Sequence, residues 1–267
     1  MVKILCLHGQ GTSGSIFKSQ SASFRAKLPT DWEWDFPDAP YSAKAHPGID
    51  VLFRSPTYAW WLASQDIVNA VRAAHLWLDE YIEDNGPYDG VCCFSQGCSL
   101  VGTYLLYHAK ENPQLPLPFR SAVFICGGLP LPVLEDMGLN AQGAYGLNQR
   151  TVDQMKAKSA KLYDLENLPK GQGLWDYTAD LEHKADELPD EADCFGLDFT
   201  TFSKDIRIKI PTVHIVGAKD PRWSAGVQLA YFCDDRKMFD HKGGHDIPRT
   251  TQVSLSIAEL INGANGV

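Results

Sequence analysis

No apolar run in this sequence approaches the ~18 residues that a helix needs to cross a bilayer. There is no internal repeat and no low-complexity tract, so repeat and fibrous architectures are excluded. Positive charge is scarce. Lys and Arg number 24 against 33 Asp and Glu, leaving a formal net charge of −9. Binding to a phosphate backbone or to anionic lipid needs basic patches, so neither nucleic acid nor a membrane is an expected partner. Paired cysteine spacings are lacking too. The seven cysteines (Cys6, Cys92, Cys93, Cys98, Cys126, Cys194 and Cys233) follow no repeating interval. The adjacent Cys92-Cys93 is not a C-x-x-C motif, and no metal site is expected. Most of these thiols sit in apolar runs, the pattern of reduced core cysteines in a cytoplasmic protein. A secretory leader is not expected either. The apolar residues 2–7 run straight into His8-Gly9-Gln10-Gly11 with no small-residue cleavage site, and they read as a strand.

What the chain does have is enough apolar material for a core. Of its 267 residues, 44% are hydrophobic and 21% charged. That is the balance of a globular protein of one or two domains and not of a disordered chain. Apolar or β-branched runs predict strands at 2–7, 32–36, 89–94, 121–126 and 211–216, with a weak edge strand at 237–240. Helices are predicted at 19–28, 64–83, 100–108 and 254–261. The clearest is 64–83, where Ile67, Val71, Ala74, Leu78 and Ile82 step by three and four along one face. Ser64 or Asp66 can cap it, and Asn85-Gly86-Pro87 stops it. Residues 37–62 read as an aromatic loop. The alternation implies an α/β fold with a mainly parallel, doubly wound sheet and helices on both faces. Residues 129–208 break the rhythm. They are polar and charged, and read as a mostly helical insertion within a single domain spanning 1–267.

Three segments carry chemistry. In Val91-Cys92-Cys93-Phe94-Ser95-Gln96-Gly97 an apolar strand runs into a serine and then directly into a helix. A serine on such a turn is pushed out at the carboxyl end of the sheet, and the following N–H points at the same spot. Gly97 meets the need for a small residue after it. Cys93 stands where the pattern G-x-S-x-G has its first glycine. In Val213-His214-Ile215-Val216-Gly217-Ala218-Lys219-Asp220 a strand ends in glycine and a carboxylate follows. In His241-Lys242-Gly243-Gly244-His245-Asp246-Ile247-Pro248 an imidazole lies in a glycine-rich loop, with His241 as a competitor nearer the strand. Alone, each residue has a bland reading: a helix cap, a turn aspartate, a loop histidine. Together, Ser95, Asp220 and His245 stand in the chain order of an α/β-hydrolase triad, each after a predicted strand. The carboxyl ends of parallel strands converge on one edge, so the three can meet. The loop Leu7-His8-Gly9-Gln10-Gly11-Thr12 could add an oxyanion N–H from Gln10 to the one from Gln96.

The same loop supports a rival. Gly9-x-Gly11-x-x-Gly14 after a strand matches a dinucleotide fingerprint, with Asp31 or Asp35 roughly 20 residues on. A NAD- or flavin-binding oxidoreductase is therefore one alternative, and a non-catalytic interaction protein on a hydrolase scaffold is another.

With these segments in place, the sequence resembles the fungal-type serine hydrolase (FSH) family of α/β-hydrolases. The matching pieces are Leu7-His8-Gly9-Gln10-Gly11-Thr12, Tyr58-Ala59-Trp60-Trp61, Phe94-Ser95-Gln96-Gly97, Val216-Gly217-Ala218-Lys219-Asp220 and Gly243-Gly244-His245-Asp246-Ile247-Pro248. The resemblance implies Ser95 as nucleophile, Asp220 as orienting acid and His245 as base, with no cofactor. The 129–208 insertion resembles the lids of stand-alone thioesterases and esterases of polyketide gene clusters. That implies an ester or thioester of an apolar, polyketide-like acyl chain, free or on a polyketide synthase carrier domain, in secondary-metabolite biosynthesis. Lactone-forming release and a broad carboxylesterase use the same site. The aromatic residues Tyr58, Trp60, Trp61, Trp175 and Tyr177 are candidates to wall an acyl pocket.

Overall fold

The computed structural model describes residues 1–62, 66–162 and 186–266. In chain order the elements are β1 (Lys3–Leu7), α1 (Gly14–Gln20), α2 (Ala22–Arg25), β2 (Glu33–Asp35), β3 (Tyr41–Ser42), α3 (Ile49–Leu52) and β4 (Tyr58–Ala59). Then follow α4 (Ile67–Asn85), β5 (Gly90–Phe94), α5 (Gln96–Glu111), β6 (Ser121–Ile125), α6 (Leu131–Met137) and α7 (Tyr145–Leu162). The chain closes with β7 (Thr212–Val216), α8 (Trp223–Tyr231), β8 (Arg236–Asp240) and α9 (Thr251–Ala264).

Six strands form one sheet in the order β2-β1-β5-β6-β7-β8, and every pairing in it is parallel. The period of two along each strand sorts side chains to the two faces. Leu5, Leu7, Val91, Cys93, Ala122 and Phe124 join a core with α4, α5, α6 and α8. Ile4, Cys6, Cys92, Phe94, Val123 and Ile125 join the other, with α1, α2 and α9. Every residue of β5, β6 and β7 is buried, as expected for central strands covered on both sides. The α/β fold expected from the sequence is thus present. The order reverses between β1 and β5, and the loops following those two strands face each other there. A crevice at such a switch point is where open parallel sheets place their ligands.

Element boundaries differ from the sequence expectation in instructive ways. The helix at 64–83 is α4, and of its two candidate caps Asp66 accepts from the N–H groups of Val68 and Asn69, a device worth about 1 kcal/mol. The helix placed at 19–28 is two pieces. The first begins earlier, because Ser13 caps it by accepting from Ile16 N–H. The loop 37–62 contains the antiparallel hairpin β3–β4 and α3. Residues 129–208 are helical in α6 and α7, but 186–208 hold only a short 3₁₀ turn at Phe199–Thr201. There Asp190 and Asp193 accept from Ala192 and Gly196 N–H groups, local turns that compete with helix. No helix among the described residues is long and apolar enough to cross a membrane.

Candidate active site

The turn between β5 and α5 is strained at one residue. Ser95 has φ 51° and ψ −112°, a positive-φ conformation that costs a non-glycine residue of order 1–3 kcal/mol. Its N–H is held by the carbonyl of Ile125 at 3.0 Å, and α5 starts at the next residue. Close packing explains the small residues around it. A Cβ on Gly97 would lie 2.3 Å from the carbonyl oxygen of Leu7, so the helix can leave the turn only with glycine there. Cys93, in place of the usual first glycine, points into the sheet core and donates its thiol to the carbonyl of Val123 at 3.2 Å. Burial pushes this thiol well up, so it is a packing group and not a second nucleophile.

Two other loops meet Ser95. His245 Nε2 lies 3.0 Å from Ser95 Oγ, and His245 Nδ1 lies 2.8 Å from Asp220 Oδ2. The ring of His245 rests on Phe94, with centroids 5.3 Å apart. Asp220 is buried, and its other oxygen accepts the Arg222 N–H at 2.8 Å. Burial pushes its carboxyl up. The His245 imidazole, with Arg222, outweighs that and holds it below the usual carboxylate value. A carboxylate that stays ionised while buried can fix the Nδ1–H tautomer, leaving Nε2 free to accept a proton from the serine. The competitor, His241, faces elsewhere. Its Nδ1 accepts from Gly243 N–H at 3.2 Å and its Nε2 is 3.7 Å from Cys126 Sγ.

The loop after β1 packs directly on the serine: a Cβ on Gly9 would sit 3.2 Å from Ser95 Cβ. Buried His8 organises this loop. Its Nε2 accepts from Ala39 N–H at 3.0 Å, which leaves the ring proton on Nδ1 for the Gly9 carbonyl at 2.8 Å. Burial lowers its pKa to about 4, so the ring is neutral. Gln96 is the first residue of α5, and the first N–H groups of a helix lack partners within it. Its side chain accepts from Trp60 N–H and donates to the Trp61 carbonyl, each at 3.0 Å. Gln10 lines the same cavity as Ser95.

That cavity holds about 260 Å³. Beside Ser95, Phe94 and His245 it is bounded by Pro47, Ile49 and Leu52, and by Met155 and Lys158 of α7. For Tyr58, Trp60 and Trp61 the aromatic wall expected from the sequence is not found among the described residues. Trp60 is 0% and Trp61 6% exposed, both within the core. Tyr58 is half-buried, and its carbonyl accepts from Gly11 N–H at 2.8 Å. None of the three is among the described residues lining the cavity. Large aromatics were drawn inward because burying their area outweighs their use at a surface. Trp60 also donates its indole N–H to the His8 carbonyl at 2.7 Å. Trp175 and Tyr177 lie outside the described residues. The cavity's own wall residues carry little local signal, apart from the three-residue spacing of Met155 and Lys158 on α7.

The glycine fingerprint has a different explanation. The Gly14 N–H at the start of α1 is taken by the Asp38 carboxylate at 2.8 Å, a negative charge where a pyrophosphate would have to sit. A Cβ on Gly14 would lie 2.1 Å from the Phe36 carbonyl, and one on Gly11 2.5 Å from His46 N. Asp35 accepts from the hydroxyls of Tyr81 and Tyr88, and Asp31 is exposed at a turn. These glycines serve close packing, and the acids are engaged or remote. Among the described residues, one group has metal-ligating chemistry: Cys126 Sγ with Asp220 and His245, within 4.8 Å of one another. Burial, then the Asp220 charge, pushes that thiol well up.

The profile described as Serine hydrolase (FSH1) matches residues 1–257. The chain belongs to the FSH1 serine hydrolase family. This FSH1 member is 30% identical to "Hydrolase FUB4" of Fusarium oxysporum f. sp. lycopersici, over 97% of each chain. It is 30% identical to "Esterase alnB" of Emericella nidulans, over 94% of this chain and 92% of the relative. It is also similar to the crystal structure of Arabidopsis thaliana SOBER1, at a TM-score of 0.49 and 16% identity with 98% of each chain covered. The FSH1 chain is a serine-dependent hydrolase of the esterase kind.

Proposed function

We propose that this protein cleaves an ester or thioester of an apolar, polyketide-like acyl chain through an acyl intermediate on Ser95. One observation carries the reading. A strained, outward-held serine hydroxyl sits 3.0 Å from an imidazole whose other nitrogen is 2.8 Å from a buried carboxylate. In this reading His245 Nε2 takes the Ser95 proton as Oγ attacks the acyl carbonyl, while Asp220 stabilises the imidazolium. The N–H groups of Gln96 and Gln10 face the developing oxyanion, each donor worth about 3 kcal/mol. His245 returns the proton to the leaving alcohol or thiol, then takes one from the attacking water and passes it to Ser95 Oγ as the acyl–Oγ bond breaks and the acid leaves.

The substrate class is supported by the apolar walls from Pro47, Ile49, Leu52 and Met155. Relatives named as esterases add to it. Residues 129–208 act as a cap in this reading, since α7 supplies two wall residues. The acyl group reaches the site as a small molecule or on a carrier domain. The seven cysteines are all free among the described contacts, which suits a reducing, cytoplasmic setting. The test is Ser95→Ala, followed by p-nitrophenyl ester turnover and fluorophosphonate labelling. Both should disappear; unchanged turnover and labelling would end the proposal.

A further inference from the structure

α7 presents one face to the body of the protein. Thr151 and Lys158 are buried and Met155 half-buried, at intervals of four and three that put them on a single stripe. Neighbouring Lys156 is exposed. An inward stripe ordinarily carries aliphatic residues. Here one of its positions holds a lysine only 8% exposed, although lysine is among the side chains least often buried. Met155 and Lys158 both line the cavity that contains Ser95 and His245. The remaining wall is largely apolar, so a cation there stands in a medium where charge interactions are several-fold stronger than in water.

We propose that Lys158 forms a subsite for an anionic oxygen on the acyl chain, a carboxylate or the enolate oxygen of a β-dicarbonyl. The proposal rests on the reading of Ser95 as the acyl acceptor. The reacting carbonyl sits at Ser95, and the second oxygen, further along the chain, sits at Lys158. An ammonium is a compact charge with three rotatable donors, so it accepts either oxygen without demanding a planar partner. The other titratable groups lining the cavity do not compete for this role. His46 is pushed toward its neutral form by burial and by His245. Asp246 adjoins His245 in the chain, and its carboxyl would repel an anion placed at that end. The chain's net charge of −9 gives no long-range attraction for an anion. Selection of the anionic oxygen is therefore local.

The test compares the p-nitrophenyl monoesters of glutaric and adipic acids with their methyl-capped counterparts, using the full chain, Lys158→Met and Lys158→Arg. The unmodified protein should favour the free carboxylates in kcat/KM. Lys158→Met should lower kcat/KM for the carboxylates roughly 10-fold or more, through KM, and lower it for the capped esters by far less. Lys158→Arg should keep the preference. Equal kcat/KM for the two series in the unmodified protein, or an equal loss on both in Lys158→Met, overturns the subsite. A second measurement does not depend on turnover. Monomethyl glutarate is titrated by calorimetry into Ser95→Ala and into Ser95→Ala with Lys158→Met. Weaker binding to the second supports the subsite, and equal binding overturns it. Turnover of capped esters that survives Ser95→Ala would instead overturn the acyl-serine reading.

Discussion

The carboxylate of Asp240, at the end of β8, accepts the backbone N–H of Ala218 in the loop after β7 at 2.9 Å. The same oxygen accepts the N–H of Lys242 at 2.7 Å. One buried side chain thus ties the loop that carries Asp220 to the loop that carries His245. Lys219 N–H on the Gly243 carbonyl at 2.9 Å completes the seam. A Cβ on Gly217 would lie 2.4 Å from the Gly243 oxygen, so the seam closes only around glycine. Asp240→Ala should leave two N–H groups without their acceptor, at about 1–3 kcal/mol each. The expected outcome is a lower urea midpoint and a fall in kcat with little change in KM. Asp240→Asn, which keeps an oxygen acceptor, should recover part of both. Equal kinetic loss in the two variants would show that the acceptor does not set the loop geometry.

The elbow sequence makes a second prediction. Cys93 fills space and donates one weak hydrogen bond, whereas Gly97 is required by the Leu7 carbonyl. Cys93→Gly should keep ester turnover and lose roughly 1–2 kcal/mol of stability, from the lost side chain and the freer backbone. Gly97→Ala should lose most turnover, because the methyl can be placed only by moving the turn that presents Ser95. Denaturation midpoints and kcat on one p-nitrophenyl ester check both. Full activity in Gly97→Ala would contradict the packing argument.

Mild acid is the third. Burial lowers the pKa of His8 and of His75 to about 4, and of His214 to about 3. The unfolded chain takes up protons near the ordinary value of about 6.5, before these folded rings do. Stability from them is therefore full above about pH 6.5 and declines as pH falls toward the folded values. At pH 5 the loss is on the order of 2 kcal/mol for each ring. Asp220, with a lowered pKa, adds its own loss at still lower pH, below the usual carboxylate range. Urea midpoints measured from pH 8 to pH 4 should fall along this course. Replacing His214, which stacks on Phe124 with centroids 5.2 Å apart, by Phe should flatten the slope. An unchanged slope would mean that the ring is already charged when buried.

How much could be read in the sequence differs from element to element. The five-residue strands β5, β6 and β7 were visible because residues buried on both faces read as continuous apolar runs. The periodicity of α4 was visible for the corresponding reason. α5 starts at Gln96, four positions before its expected start at residue 100. Gln-Gly-Cys-Ser has no helical pattern, and only the strained turn at Ser95 launches it. Trp60 and Trp61 suggested a pocket, but an aromatic side chain carries no mark of which way it will face. Here both turned into the core, and the Trp60 indole donates to the His8 carbonyl.

By itself the sequence determined the main strands of the sheet and helix α4, and that a serine, an aspartate and a histidine each follow a strand. Those features depend on neighbours in the chain, whose periodicity and turn chemistry are written in order. Only the tertiary structure decided that His245 and not His241 stands beside Ser95, a contact between residues 150 positions apart. It also decided that α3 and α7 bound the cavity and that Lys158 faces into it. Such facts depend on which strands lie side by side and how closely their loops pack, and no local pattern records that.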